Sequence, residues 1–181
     1  LDAMSIGELV SNMHAQTNAA SAAVEACLPA IQGFLEALVP RMRRGGRLFY
    51  IGAGTSGRLG ILDASECPPT FGVGPEVIQG WIAGGDGALR VAVEGAEDDF
   101  AGAWKDLAQA TPNPNDTLMG IAASGRTPYV LGGIQQANEA GLMTACITCN
   151  PATKLAAISR HPIEAITGPE FVTGSTRLNA G

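Results

Sequence analysis

The start of the chain carries a helical pattern of apolar positions. Over residues 21–44, apolar side chains recur at steps of three and four, which predicts an amphipathic helix with one buried face. A weaker pattern of the same kind predicts another helix over residues 4–18. Gly45 and Gly46 end the stronger helix, and the arginines before them suit the negative end of its dipole. We therefore expect an N-terminal helical segment over residues 1–45, followed by one domain over residues 46–181.

From residue 46 onward, apolar runs of strand length alternate with helical patterns. Strands are predicted at residues 47–51, 77–83, 117–123 and 142–149 and within 163–172. Helices are predicted after them, over residues 56–64, 86–93, 96–110, 127–140 and 152–159. This alternation predicts an α/β fold of three layers, in which helices cover both faces of a mostly parallel, five-stranded sheet. In such a sheet, ligands bind beyond the carboxyl ends of the strands.

The loop after the first strand has the features of a phosphate-binding turn. Gly54, Thr55, Ser56 and Gly57 combine the glycines of a tight turn with two hydroxyl groups. Ser56 is predicted to cap the following helix, so that backbone N–H groups and the positive helix end face one spot, which suits a phosphate. That helix is predicted to end at Glu66, because Pro68 and Pro69 follow. The carboxylate would then lie on a stiff corner near the same pocket.

The same loop also fits the G-x-G-x-x-G pattern of dinucleotide-binding proteins. That pattern expects an acidic residue at the end of the next strand, about twenty residues further on. Here the next predicted strand ends before Asp86, which comes late. The hydroxyl pair of Thr55 and Ser56 also suits a compact phosphate monoester better than a pyrophosphate. A sugar phosphate is therefore favoured, with a nicotinamide-dependent oxidoreductase as an alternative.

Composition narrows the possible partners. The chain has 181 residues, 46% of them hydrophobic and 24 of them glycine, which suits one α/β domain with buried strands. A net charge of −6 without a basic cluster argues against nucleic acid and anionic membranes as partners. No leader-like start and no apolar run of bilayer length is present, so we expect a cytoplasmic protein. Because the chain begins at Leu1 and stops inside a new helical pattern, we expect it to be a fragment.

Four cysteines are present, and Cys146 and Cys149 form a C-x-x-C pair. Such pairs bind zinc or exchange disulfides, but neither a second pair nor a histidine cluster accompanies this one. The pair also lies in a predicted strand. We therefore expect buried thiols in a reducing compartment, and no metal site.

Hydroxyl groups and glycines also follow two other predicted strands. The third strand ends in Ser124, Gly125, Arg126 and Thr127, and the fifth ends in residues 173–176, which include Ser175. Each run taken alone is typical of an ordinary helix N-cap. Together with the first loop, on one edge of the sheet, they predict a pocket for a phosphate or a polyhydroxyl ligand, to which Arg126 adds positive charge.

At these loops the chain resembles the sugar isomerase (SIS) domain family. The second loop of that family reads Ser-x-Ser-Gly-x-Thr, and residues 122–127 here read Ala-Ala-Ser-Gly-Arg-Thr, without the first serine. A closer resemblance is to the N-acetylmuramic acid 6-phosphate etherases, on residues 51–58, 63–72, 94–99, 122–130, 167–170 and 173–178. It implies a SIS-type fold and a cofactor-free lyase that splits D-lactate from C3 of the sugar, giving N-acetylglucosamine 6-phosphate in cell-wall recycling. It also implies a homodimer, because SIS sites are commonly completed by a second subunit.

The resemblance assigns the two catalytic carboxylates to Glu66 and Glu97. One carboxylate removes the C2 hydrogen of the opened sugar, and the other, protonated, donates to the departing lactate oxygen. The resemblance makes Glu66 the acid and Glu97 the base. From the residues alone, Glu97 only begins an acidic trio at a predicted helix start, where acidic side chains usually complement the dipole. A non-catalytic sugar-phosphate sensor on the same fold, similar to the glucokinase regulatory protein, is the alternative, since it needs no carboxylate pair.

Overall fold

A computed structural model describes residues 1–181 as six α-helices and one five-stranded sheet. The helices are α1 (Ile6–Ala26), α2 (Leu28–Arg43), α3 (Gly54–Phe71), α4 (Gly102–Ala108), α5 (Pro128–Glu139) and α6 (Lys154–Ile158). The strands are β1 (Leu48–Gly52), β2 (Ile78–Ile82), β3 (Thr117–Ile121), β4 (Met143–Thr148) and β5 (His161–Glu164). Two short 3-10 turns, Asp86–Leu89 and Ala96–Asp98, lie between β2 and α4.

The sheet is parallel throughout, with strand order β2-β1-β3-β4-β5. The predicted α/β fold with a five-stranded sheet is confirmed. After β1 the chain first adds β2 on one side and then crosses to add β3 on the other side. The connections therefore diverge between β1 and β3, and at such a switch point a crevice opens beyond the carboxyl ends of the strands.

Two apolar clusters fill the space on the two faces of the sheet. Phe49 and Ile51 of β1 are fully buried in the cluster that includes residues of α4, α5 and α6. Leu48, which precedes them, points to the opposite face, where Phe34 and Leu38 of α2 complete the second cluster. This alternation follows from the two-residue period of a strand. Since α2 shares its core with the sheet, the division of the chain at residue 45 stays a prediction.

Glycines allow α3 to lie directly on the sheet. A Cβ atom on Gly60 would lie 2.8 Å from the Cβ of Tyr50 in β1, and one on Gly80 of β2 would lie 2.6 Å from the Cα of Ile61. Real side chains do not tolerate such contacts, so only glycine fits at these positions. The close approach fixes the first turn of α3 at the end of β1, beside the switch point.

The predicted boundary between the first two helices was wrong. A break was predicted between residues 18 and 21, whereas α1 continues to Ala26 and the break falls at Cys27. It falls there because Pro29, in the first turn of α2, has no N–H to donate to the preceding turn. No single helix is long and apolar enough to cross a bilayer, and α1 with α2 meets that criterion only as a pair bent by 52°.

Three other elements differ from their predictions. The helix predicted over residues 86–93 is only the 3-10 turn Asp86–Leu89, and the one predicted over 96–110 is split at Asp99, whose backbone is extended. The fifth strand is β5, which ends at Glu164, well before residue 172. Its partner β4 ends at Thr148, opposite Glu164, and a strand cannot continue without a neighbour to pair with. Residues 173–176 therefore do not follow directly from a strand end.

Candidate active site

The first turn of α3 is an uncapped helix start. The helix begins at Gly54, two residues before the predicted cap at Ser56, and the capping position Ala53 has no side chain that accepts a hydrogen bond. Gly54 has φ +54°, a left-handed conformation that favours glycine. The first N–H groups of a helix have no partner within it, so those of Gly54, Thr55 and Ser56 are available to an anion at the positive helix end.

A cleft of about 220 Å³ opens beside this turn, beyond the carboxyl ends of β1 and β2. Gly54 and Arg58 form one side of it, and Glu94 and Glu97 lie on the other. Both carboxylates are exposed, and Glu97 lies in the 3-10 turn Ala96–Asp98. The structure therefore brings Glu97 to Gly54 of the predicted phosphate loop, although the two residues are 43 positions apart in the sequence. The other three residues of the loop, Thr55, Ser56 and Gly57, do not line the cleft.

Arg58 links the two sides of this cleft. Its Nε donates a hydrogen bond to the carbonyl of Leu89 at 2.9 Å, and one terminal nitrogen donates to the carbonyl of Ala88 at 2.8 Å. It makes no ion pair with Glu94 or Glu97 within 4.0 Å. Arg58 and Glu94 were not predicted as site residues. Arg58 lies four residues after Gly54, which places both on one face of α3, and that spacing was the available signal.

Glu66 lies in a different place from the one predicted. Instead of ending at Glu66, α3 continues through Pro68 and Pro69 to Phe71 and stops at Gly72, which has φ +66°. The helix persists because its inner face, Gly57, Gly60, Ala64 and Cys67, is buried against the sheet. Glu66 is exposed and lines neither this cleft nor the two cavities described below. Within one chain, the two predicted catalytic carboxylates therefore do not meet in this cleft.

The second predicted loop follows β3, next to β1 in the sheet, but it does not line the cleft. Gly125 adopts φ +60° and packs against Thr153, while Ser124 and Arg126 are exposed. The Ser124 hydroxyl accepts a hydrogen bond from the backbone N–H of Arg126 at 3.2 Å, which stabilises the turn itself. Thr127 precedes α5 and makes no capping hydrogen bond through its side chain.

Ser175 lies eleven residues after the end of β5 and is half-buried. Its neighbours Thr173, Gly174 and Thr176 line a cavity of about 270 Å³, together with Ala123 before the second loop. The second and third predicted loops therefore lie at the same cavity, but neither Ser124 nor Ser175 lines it. Glu170 ties the two ends of the segment 170–180 together, because its carboxylate accepts hydrogen bonds from the backbone N–H groups of residues 179 and 180, at 3.0 and 3.2 Å.

A larger cavity, of about 590 Å³, lies on the face of the sheet that α3 covers. It is lined by Tyr50, Asp63 and Cys149 among others, and by none of the predicted site residues. Burial, and secondly the nearby carboxylate of Asp63, raise the pKa of Tyr50 above its usual range. Because Gly54 and Glu97 meet only in the smaller cleft, we take the smaller cleft as the candidate active site.

The cysteine pair is not arranged for metal binding. Cys146 is buried in β4 and Cys149 is half-buried after it, and burial raises the pKa of both thiols. No group of three or more histidine, cysteine or acidic side chains is placed to hold a metal ion. A raised pKa keeps both thiols protonated and unreactive, unlike those of a redox C-x-x-C motif.

The chain is similar to curated etherases over its whole length. It is 56% identical over 181 residues to an N-acetylmuramic acid 6-phosphate etherase of Christiangramia forsetii, and 50% identical to one of Bacteroides thetaiotaomicron. An N-acetylmuramic acid 6-phosphate etherase 2 of Enterococcus faecalis is also 50% identical. These alignments cover 100% of this chain and 66%, 65% and 61% of the three relatives, so the chain spans a little under two thirds of their length.

Solved structures share the fold. A phosphoheptose isomerase from Francisella tularensis superimposes with a TM-score of 0.69 at 20% identity, covering 98% of this chain and 91% of its own. A phosphoheptose isomerase from Neisseria gonorrhoeae gives 0.70 at 16% identity, covering 96% and 90%. The family model described as "Glucokinase regulatory protein N-terminal SIS domain" matches residues 30–138, which is more than half of the chain. The chain therefore belongs to the SIS domain family.

Proposed function

We propose that the protein is a carbon–oxygen lyase, an N-acetylmuramic acid 6-phosphate etherase of cell-wall amino-sugar recycling. The observation that carries the proposal is the cleft in which the uncapped start of α3 faces Glu97. A chain 50–56% identical to curated etherases, with a carboxylate beside an anion-binding helix end, suits an enzyme that deprotonates a sugar phosphate. The four free cysteines further support a cytoplasmic protein, and no step of the chemistry below needs a cofactor.

In this proposal, the phosphate binds to the backbone N–H groups of Gly54, Thr55 and Ser56 and to the hydroxyls of Thr55 and Ser56. Gly57, whose N–H donates to the carbonyl of Ala53 at 3.4 Å, completes the turn without a side chain. Thr55 and Ser56 support this role because their side chains make no hydrogen bond within the chain and both residues are half-buried next to Gly54, although only Gly54 of the loop lines the cleft. We also propose contacts to the sugar phosphate from the other two predicted loops, through Ser124, Gly125, Arg126, Thr127 and Ser175, which lie outside the cleft of a single chain.

The chemistry is an elimination followed by a hydration. In the opened sugar, Glu97 takes the proton from C2, the C–H electrons form a C2=C3 double bond, and the bond from C3 to the lactate oxygen breaks. Glu66 donates its proton to that oxygen, and D-lactate leaves. Glu66, now a carboxylate, takes a proton from water as the water oxygen bonds to C3, and Glu97 returns its proton to C2. Each carboxyl group ends in the state in which it began.

Glu66 requires a second copy of the chain in this mechanism. It shares the exposed face of α3 with Leu59 and Leu62, which are 38% and 56% exposed. A face of this kind, apolar residues beside a functional carboxylate, suits contact with another subunit. We therefore extend the proposal to a homodimer in which Glu66 of one subunit reaches the cleft that contains Glu97 of the other.

The test measures D-lactate released from N-acetylmuramic acid 6-phosphate by the purified protein. Glu66→Gln and Glu97→Gln are each expected to lower kcat by about 100-fold or more, since each removes a proton-transfer group. Asp98→Asn is the matched control, because Asp98 lies in the same 3-10 turn as Glu97 but does not line the cleft. No release of D-lactate by the wild-type protein, or full activity in both glutamine variants, would contradict the proposal.

Mixing the two inactive variants tests the shared site. If subunits exchange freely and each site uses Glu97 of one subunit with Glu66 of the other, half of the dimers regain one intact site. The mixture should then recover about a quarter of the wild-type activity, as an interface related by twofold symmetry requires. If both carboxylates act within one subunit, mixing restores nothing.

A non-catalytic sugar-phosphate sensor is the second candidate. It is favoured by the family model, whose description names the glucokinase regulatory protein. Such a protein would bind N-acetylglucosamine 6-phosphate by calorimetry but release no D-lactate from the ether substrate.

A further inference from the structure

Arg58 does more than line the candidate site. Its forked guanidinium donates to two consecutive carbonyls, those of Ala88 and Leu89, at 2.8 and 2.9 Å. Both carbonyls belong to the 3-10 turn Asp86–Leu89, which begins the segment that forms the far side of the cleft. Through Arg58, this segment is hydrogen-bonded to α3.

The segment 86–97, which carries Glu97, is fixed at both ends and makes few contacts between them. At its far end, Ala96 packs against the main apolar cluster, and Gly132 of α5 lets the backbone carbonyl of Phe100 approach closely. Between the two ends, residues 91–95 have no regular structure, and Val91 and Val93 are 71% and 48% exposed. Few buried contacts therefore fix this stretch. At its beginning the 3-10 turn is held by the buried Ala88 and by the two hydrogen bonds of Arg58.

We infer that Arg58 is a positioning residue, which holds the segment 86–97 at a fixed distance from the first turn of α3 and so places Glu97 for proton transfer. The inference rests on the proposed function. A base must lie within hydrogen-bond reach of its proton, and the phosphate held at residues 54–57 fixes where that proton is. Loss of the Arg58 anchor would let the far side of the cleft move relative to the bound phosphate.

Loss of a positioning residue should slow catalysis without weakening product binding. Arg58→Ala is expected to lower kcat by about 10- to 100-fold, the effect of misplacing a catalytic group by about 1 Å. The dissociation constant for N-acetylglucosamine 6-phosphate should change by less than about threefold, because the phosphate loop stays intact. Arg58→Lys keeps the charge but cannot span both carbonyls, so it should be almost as slow. Ethylguanidinium added to the alanine variant should restore part of the lost kcat.

The matched control is Arg90→Ala. Arg90 directly follows the same 3-10 turn, is exposed and makes no hydrogen bond through its side chain, so its loss removes an equal charge without removing the anchor. The control should keep wild-type kcat.

The experiment measures kcat, KM, product affinity and melting temperature of the wild-type protein and these variants. Wild-type kcat in Arg58→Ala or in Arg58→Lys would overturn the inference. So would a loss of product affinity as large as the loss in kcat, which would make Arg58 a phosphate ligand. If the alanine variant does not fold, the lysine variant gives the same readout. A wild-type protein that releases no D-lactate overturns the proposed function instead, and the two failures are thus distinct.

Discussion

Replacing Asp116 by alanine should unfold the protein more readily while leaving its chemistry unchanged. Asp116 is completely buried at the amino end of β3, and its carboxylate forms an ion pair with Arg47 at 2.7 Å. It also accepts hydrogen bonds from the backbone N–H groups of Arg47 and Asn113, both at 2.8 Å. This carboxylate joins the starts of β1 and β3 and the turn before β3. These lie at the amino ends of the strands, on the opposite side of the sheet from the cleft at their carboxyl ends.

The magnitude follows from what the substitution leaves behind. Removing one partner of a buried ion pair costs about 3–5 kcal/mol of unfolding free energy, because the remaining charge and donors lose their acceptor. Arg47 is 20% exposed in its side chain, and it keeps hydrogen bonds to the carbonyls of Ala110 and Thr111 and a contact over the Phe49 ring at 4.9 Å. We therefore expect the low end of that range, about 3 kcal/mol, or a melting temperature lower by about 6–12 °C.

The assay is urea denaturation followed by circular dichroism, with kcat measured well below the melting temperature. The control is Lys105→Ala, which removes the other ion pair, at 3.8 Å between side chains that are 71% and 53% exposed. That pair lies in water, so its loss should cost less than about 1 kcal/mol. A loss below 1 kcal/mol for Asp116→Ala, or equal losses in both variants, would refute the reasoning about the buried carboxylate.

Two further predictions concern the packing of α3 and the tyrosines. Gly80→Ala should destabilise the protein by about 1–3 kcal/mol in the same assay, because its Cβ would lie 2.6 Å from the Cα of Ile61. The control Gly33→Ala should not destabilise it, because no atom lies within 4 Å of the added Cβ. Burial, and secondly a hydrogen bond to Asp106, raise the pKa of Tyr129 above its usual value, as burial does for Tyr50. Because the folded pKa is the higher one, this stabilisation is complete below pH 10 and is lost as the pH rises beyond 10, where only unfolded tyrosine ionises. Ultraviolet titration should therefore show no phenolate in the folded protein at pH 10, and phenolate at that pH in the native state would contradict the burial argument.

The order of elements and the glycine-rich start of α3 could be predicted because both depend on short-range patterns. The apolar runs and their spacing from residue 46 onward predicted the strands of the sheet, and the alternation with helices predicted their parallel arrangement. The glycines and hydroxyls of residues 54–57 predicted a helix start suited to an anion. The prolines after Glu66 were misleading, because the packing of α3 on the sheet outweighs the hydrogen bonds that Pro68 and Pro69 cannot make.

The composition of the candidate site depends on contacts between residues that are distant along the chain. Glu97 meets Gly54 only because β2 pairs beside β1 and the chain then folds back across the ends of both strands. Arg58 anchors the far side of the cleft through backbone carbonyls, which every residue has, so no side-chain pattern could reveal its partners. The sequence by itself determined the layers, the parallel sheet and the glycine-rich turn that begins α3, since local patterns specify them. The tertiary structure alone decided which carboxylates face that turn, because a crossing connection brings together residues whose separation in sequence carries no information about their distance.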